Sequence, residues 1–303
     1  LLIAHQLVID EASWSILTED LQTLLYQRSQ AQPLQLPPKT TSFQQWAQQL
    51  QMYSQKLESE PWFPSKTTSP LPVDFPNRDN TLAANHTVTV HLAAEATQHL
   101  LQQVPLAYHT QTHEVLLTAL VQTYAHWAGE SQLTVDVASN GRHHPFEDID
   151  LSRTVGWFMT LCPIALDLTN INSPEPALKA VKEQLRCVPH QGLDYGVYRY
   201  LKQTQETVET PLSWPAVDIY FSHSEPLKPD SKADTPQIKG VESPEFLRRL
   251  QYQQSHKFYL DSCITAGQLR LSWTYNQSLH TQSTIETLAA TFLEKLQGLI
   301  DHC

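Results

Sequence analysis

Between Glu60 and Asn85 the chain carries Pro61, Pro64, Pro70, Pro72 and Pro76 among many Ser, Thr and Asn residues. Proline locks φ and has no N–H to donate, so this stretch supports neither a long helix nor a central strand. Regular structure must therefore be built on either side of it, which divides the chain into residues 1–75 and 76–303.

Each side reads as a mixture of helices and strands. Leu2 to Ile9 is aliphatic and β-branched enough for a buried strand, and Asp10 then opens a helix with Trp14, Leu17, Leu21, Leu24 and Leu25 on one face. Thr41 and Ser42 are capping types ahead of a second helix, in which Phe43, Trp46, Leu50 and Tyr53 recur at helical spacing. Past the prolines come a strand (Val88, Val90, Leu92), a helix from Ala94 to Gln103, a long apolar helix from Val115 to Trp127, and a strand from Leu133 to Val137. A helix from Pro176 to Arg186 and a strand from Val217 to Phe221 precede a polar loop, Ser224 to Pro244. Two strands meeting near Gly267 and a helix from Thr284 to Ile300 end the chain. The expected class is mixed α/β (α+β).

An apolar content of 41%, with 9% aromatic residues, gives both parts material for a core. The 20 basic and 31 acidic side chains leave a formal charge of −11 with no basic run, which repels a phosphate backbone and argues against nucleic acid as a partner. Cys162, Cys187, Cys263 and Cys303 are far apart, without CxxC or finger spacing, so neither a metal site nor a disulfide framework is expected, and buried free thiols are. The apolar start LLIAHQLVID is too short for a membrane span or signal peptide, so the expected location is cytoplasmic, with no membrane partner.

Five separated strings carry a family likeness: HQLVIDEASW (His5 to Trp14), LPPKTTSFQQWA, DLSRTVGWF (Asp150 to Phe158), GQLRLSWTYNQSLH, and TIETLAATFLEKLQGLIDHC. In this order and spacing the chain resembles the condensation superfamily of nonribosomal peptide synthetases, and its epimerisation branch most. The resemblance implies two chloramphenicol-acetyltransferase-like lobes in a V, the first incomplete, with the reaction site in a tunnel between them. It implies no bound cofactor. The substrate would be an aminoacyl or peptidyl thioester on the phosphopantetheine arm of a carrier domain, and the partners would be that carrier and neighbouring synthetase domains.

Epimerisation removes a weakly acidic α-proton from one face of a carbon and returns one to the other, which calls for imidazole or carboxylate bases. By resemblance these are the second His of an HHxxxDG motif and the Glu of an EGHGR stretch. Here Gln6 and Ala138 stand at those places, and neither an amide nor a methyl group titrates. Asn140 replaces the His of EGHGR, and Tyr220 in VDIYFSHS is aligned with the Asn of an FNYLG-type strand. His5, His143 and His144 are candidate substitute bases. Asp10 is expected to pair with Arg142 or Arg153, or to serve as a helix N-cap. Gln6, Asn140, Trp157 and Phe158 are assigned to the tunnel by resemblance.

Three functions compete on this reading. One is a domain that keeps a carrier-docking or scaffold role without proton transfer. The second is an active epimerase or acyl-transfer enzyme using substitute bases or positioning alone. The third is a fragment with exposed apolar faces and no independent role.

Overall fold

A computed structural model of the chain describes residues 2–57, 70–81, 84–202, 217–224 and 255–302. Much of the proline-rich stretch, and nearly all of the loop expected over Ser224 to Pro244, lie outside the described residues.

Two helices precede the sheet. α1 (Glu11–Ser29) starts where Asp10 accepts a hydrogen bond from the Ser13 amide at 2.7 Å. α2 (Phe43–Lys56) starts with a capping box, Ser42 and Gln45 each bonding the other's backbone N–H. Such caps satisfy amides that the first helical turn leaves without partners.

The sheet follows, threaded by helices: β1 (Asn85–His91), α3 (Ala94–Tyr108), α4 (Thr112–Ala128), β2 (Gln132–Ser139), β3 (Thr160–Asp167), α5 (Pro174–Arg186), the short α6 (Leu193–Val197), β4 (Ile219–Ser224), β5 (Phe258–Thr265), β6 (Gln268–Asn276) and α7 (Gln282–Asp301). The six strands lie in the order β1-β6-β5-β4-β2-β3. β4 runs parallel to both β2 and β5, and the remaining pairs are antiparallel. At one edge, β3 carries Pro163, a residue with no amide to offer a stray strand.

The main core lies between the sheet and its helices. Leu116, Leu117 and Leu120 of α4, with Phe292 and Leu296 of α7, meet Val135, Phe221, Leu260 and Tyr275 of the sheet, all buried. Each such side chain contributes about 1.5–3 kcal/mol relative to exposure. Leu71, just after the proline cluster's first part, joins this core, and its amide donates to Asp218. A second cluster, of Trp46, Leu151, Phe158, Leu193 and Val197, fastens α2 to the loop before β3 and to α6.

The expected strand from Leu2 to Ile9 is not formed. A 3₁₀ turn spans Gln6–Val8, and Leu2, Ile3, Leu7 and Val8 are exposed. Aliphatic composition makes a strand only where a neighbouring ladder and a covering layer exist, and no strand among the described residues pairs with this segment. For the same reason the apolar face of α1 stays partly open, with Leu17, Leu21 and Leu25 each more than a third exposed. The thiols also divide: Cys162 is buried, Cys263 half-buried, and Cys187 exposed at the end of α5, contrary to the expectation of burial.

His280 is fully buried against Phe258, with ring centroids 4.6 Å apart, and neither ring nitrogen has a hydrogen-bond partner among the described residues. Burial pushes its pKa from 6.5 down to about 4. Between those two values the unfolded chain binds a proton that the folded one refuses, so stability present above pH 6.5 is lost as pH falls towards 4. The denaturation midpoint should drop on acidification from pH 7 to pH 4.5, and His280→Phe should flatten that slope without abolishing it. An unchanged slope in the variant would rule His280 out as a source.

Candidate functional site

Asp10 and Arg142 join the start of α1 to the segment after β2. The Arg142 guanidinium donates to both carboxylate oxygens, at 3.0 and 3.2 Å, and the two side chains are only 13% and 4% exposed. It also donates to the Leu151 and Thr154 carbonyls and to the Ser13 hydroxyl, and lies over the Phe158 ring at 4.3 Å. Asp10 additionally accepts from the Phe158 amide, and Ser13 exchanges hydrogen bonds with both backbone groups of Gly156. Asp10 is thus N-cap and ion-pair partner at once. Arg153 instead pairs with Glu19 and Asp20 on α1.

Beside this junction is a cavity of about 1380 Å³. It lies outside the C-terminal ends of the parallel strands β2 and β4, where an open sheet leaves a crevice for ligands. Ala138, Asn140 and Arg142 line it from the end of β2, His223 and Ser224 from β4, and Glu11 from α1. The Ser224 hydroxyl donates to Glu11 at 2.7 Å, tying the end of β4 to the start of α1 at the cavity wall.

The expected site residues separate into three groups. Ala138, Asn140, Arg142, His143 and His144 line this cavity. Trp157 and Phe158 line a different, smaller cavity of about 350 Å³, with Phe43 and Trp46 of α2. His5 is exposed and accepts from the Leu7 amide within its own turn, and Gln6 opens that 3₁₀ turn. His144 accepts from the Phe146 amide and stacks on the Phe146 ring, and burial lowers its pKa.

Tyr220 stands apart from these groups. Its ring packs against His256 and Tyr259 rather than lining the large cavity, and burial, followed by the Asp261 carboxylate, pushes its phenol up to about 12. From β4 it is Phe221, His223 and Ser224 that line the cavity. His113, from the first turn of α4, lines it too. Neither histidine was singled out from sequence, although strand alternation counted from the apolar Phe221 would have found His223.

A mixed sheet covered by helices, with a polar cavity at the ends of two parallel strands, defines a mixed α/β domain of chloramphenicol-acetyltransferase-like fold. Residues 1–303 match the sequence model of the Condensation domain, and the chain belongs to that family. A linear gramicidin synthase of Brevibacillus parabrevis is 38% identical over 310 residues, covering 99% of this chain and 6% of that protein. Chondramide synthase cmdD of Chondromyces crocatus is 37% identical over 313 residues, covering 99% of this chain and 8% of that protein. The chain therefore spans less than a tenth of either relative. The crystal structure of the epimerization domain from the third module of tyrocidine synthetase B superposes with a TM-score of 0.83 at 31% identity, covering 99% of this chain and 68% of that one. The chain is a condensation/epimerisation-type domain of nonribosomal peptide synthesis, with a link to the epimerisation branch. Among the described residues no helix is long and apolar enough to cross a membrane, and no cluster of three or more His, Cys, Asp or Glu residues is placed to hold a metal.

Proposed function

We propose that the large cavity receives an aminoacyl or peptidyl thioester on the phosphopantetheine arm of a neighbouring carrier domain, and that the chain docks this carrier without epimerising its cargo. One observation carries the second half. Ala138, at the place of the family's glutamate, lines the cavity with a methyl group. With Gln6 at the place of the second histidine, neither expected proton acceptor remains, and each such group typically contributes about 10²–10⁴ in rate. Residues on the N-terminal side of a boundary within Glu60 to Asn85 are assigned to a first lobe and those after it to a second, the Asp10–Arg142 pair joining them.

Incubation with an aminoacyl or peptidyl carrier protein in deuterated water, read by mass spectrometry, should show no α-deuterium above background. Gln6→His combined with Ala138→Glu should introduce exchange, and each change alone should do little, since both faces of the carbon need an acceptor. Exchange by the unmodified protein would overturn the proposal.

A further inference from the structure

Asp136 of β2 is paired with Tyr220 of β4, and Tyr220 with Tyr259 of β5, so the three form one row across the parallel part of the sheet. Side chains in one row share a face, here the face turned away from Val135, Phe221 and Leu260 of the main core. His256, two residues before β5, packs against this row. Its ring is T-shaped to those of Tyr220 and Tyr259, at centroid distances of 5.8 and 5.3 Å. The chain is pinned there by Asn80, whose side-chain amide donates to the His256 carbonyl at 2.8 Å.

The His256 imidazole is nearly buried, and both its nitrogens are engaged. Nε2 is 2.7 Å from an Asp136 carboxylate oxygen, and Nδ1 is 2.9 Å from the Ser255 hydroxyl. A carboxylate only accepts, so in the neutral ring the proton sits on Nε2 and the lone pair on Nδ1. Ser255 gives its single proton to that lone pair. The Tyr259 hydroxyl, 3.3 Å from Ser255 Oγ, is then the donor in its contact with Oγ. Ser255 itself is exposed, so the three groups run from a carboxylate under the surface to a hydroxyl on it.

We infer that Ser255 is a serine nucleophile with His256 as its base and Asp136 as a positioning carboxylate, and that this relay hydrolyses an acyl ester presented at the protein surface. None of the three residues lines the large cavity, so the inference stands apart from the carrier-binding reading. The ring nitrogens are used in the reverse of the more usual order, which leaves the chemistry intact because either nitrogen is basic when it lacks the proton. Ser255 Oγ bonds to the ester carbonyl carbon as its proton passes to His256 Nδ1, and Asp136 holds the imidazolium that forms. The Tyr259 O–H, already directed at Oγ, donates to the oxyanion beside it. Collapse breaks the bond to the leaving alkoxide, which takes the proton from Nδ1. Water then attacks the acyl-serine and passes a proton to Nδ1, and Oγ departs and recovers it. One carboxylic acid and one alcohol result, with His256 neutral again.

The test uses an alkyl fluorophosphonate, which reacts with activated serine hydroxyls, and p-nitrophenyl acetate as the ester. The unmodified protein should be phosphonylated at Ser255, read by peptide mass spectrometry, and should release p-nitrophenolate with an initial burst. Ser255→Ala, a change at an exposed position with the fold checked by circular dichroism, should lose both label and burst. His256→Gln should slow phosphonylation about 10²–10⁴-fold. Asp136→Asn offers Nε2 an amide donor and so moves the ring proton to Nδ1, which should lower kcat at unchanged KM. Asp136→Glu keeps a carboxylate and should recover part of the rate, and equal losses in the two variants would remove Asp136 from the relay. An unmodified protein that takes no label at Ser255 would overturn the inference and leave His256 as a packed histidine with both nitrogens satisfied. Ester hydrolysis unchanged by Ser255→Ala would overturn it as well.

Discussion

Asp10→Ala should cost the fold about 3–5 kcal/mol, because it strands a nearly buried guanidinium without its counter-charge. The carboxylate also caps α1 through the Ser13 amide and accepts from the Phe158 amide, so one truncation removes a charge, a cap and a cross-link. Asp10→Asn separates these contributions. An amide oxygen can still accept from Ser13, leaving the charge as the main loss, and an intermediate cost is expected. Denaturant titration of the two variants gives the comparison. A cost below about 1 kcal/mol for Asp10→Ala would place the pair among exposed ion pairs, which contribute little.

Gly141→Ala should be more damaging still. Gly141 has a φ of +66°, and a Cβ built there would fall 1.6 Å from the Phe158 carbonyl oxygen and 2.6 Å from its carbon. The obstruction is backbone, and it cannot swing aside as a side chain would, since the Phe158 amide is held by Asp10. Gly129 supplies the control. Its φ is +73°, yet a Cβ there would meet nothing within 4 Å, so Gly129→Ala should cost only the left-handed strain of about 1–2 kcal/mol. Gly141→Ala should exceed about 4 kcal/mol, a loss that single substitutions seldom reach. Equal midpoints for the two variants would show that the Phe158 backbone yields.

What sequence conveyed about this chain was mostly local. The Asp10 cap, the Ser42 capping types, and the apolar spacing of α4 and α7 act within a turn or two, and each gave an element of the right type. Leu2 to Ile9 failed because a strand depends on a neighbour that composition does not reveal. Sheet order was beyond reach, since β4 pairs with β2 and not with β3, the strand before it, and β1 pairs with β6, the last strand of the chain. At the site, family motifs directed attention to Ala138, Asn140 and Arg142, and all three line one cavity. The same motifs named Tyr220, and nothing in them pointed to His223, which lines the cavity. An aligned string does not say which face a side chain takes, and a shift by one residue along a strand reverses it. Nor did anything in the sequence tie His223 to Ser262, because their pairing exists only across the ladder of β4 and β5.

The position of β1 has a consequence for how the chain is made. Its ladder partner is β6, and residues 92–267 lie between the two strands. During synthesis at about 5–20 residues per second, β1 is complete roughly 9–37 s before Asn276, the last residue it pairs with, is joined to the chain. The β2–β3 hairpin can close early, because both its strands are complete by Asp167. β1 and the apolar face of α3 must wait, solvated or held by a chaperone, until β6 and α7 arrive to cover them. Premature termination anywhere before Gln268 should therefore yield a nascent chain with an open sheet edge, and such chains should be the protease-sensitive and aggregating products of interrupted translation.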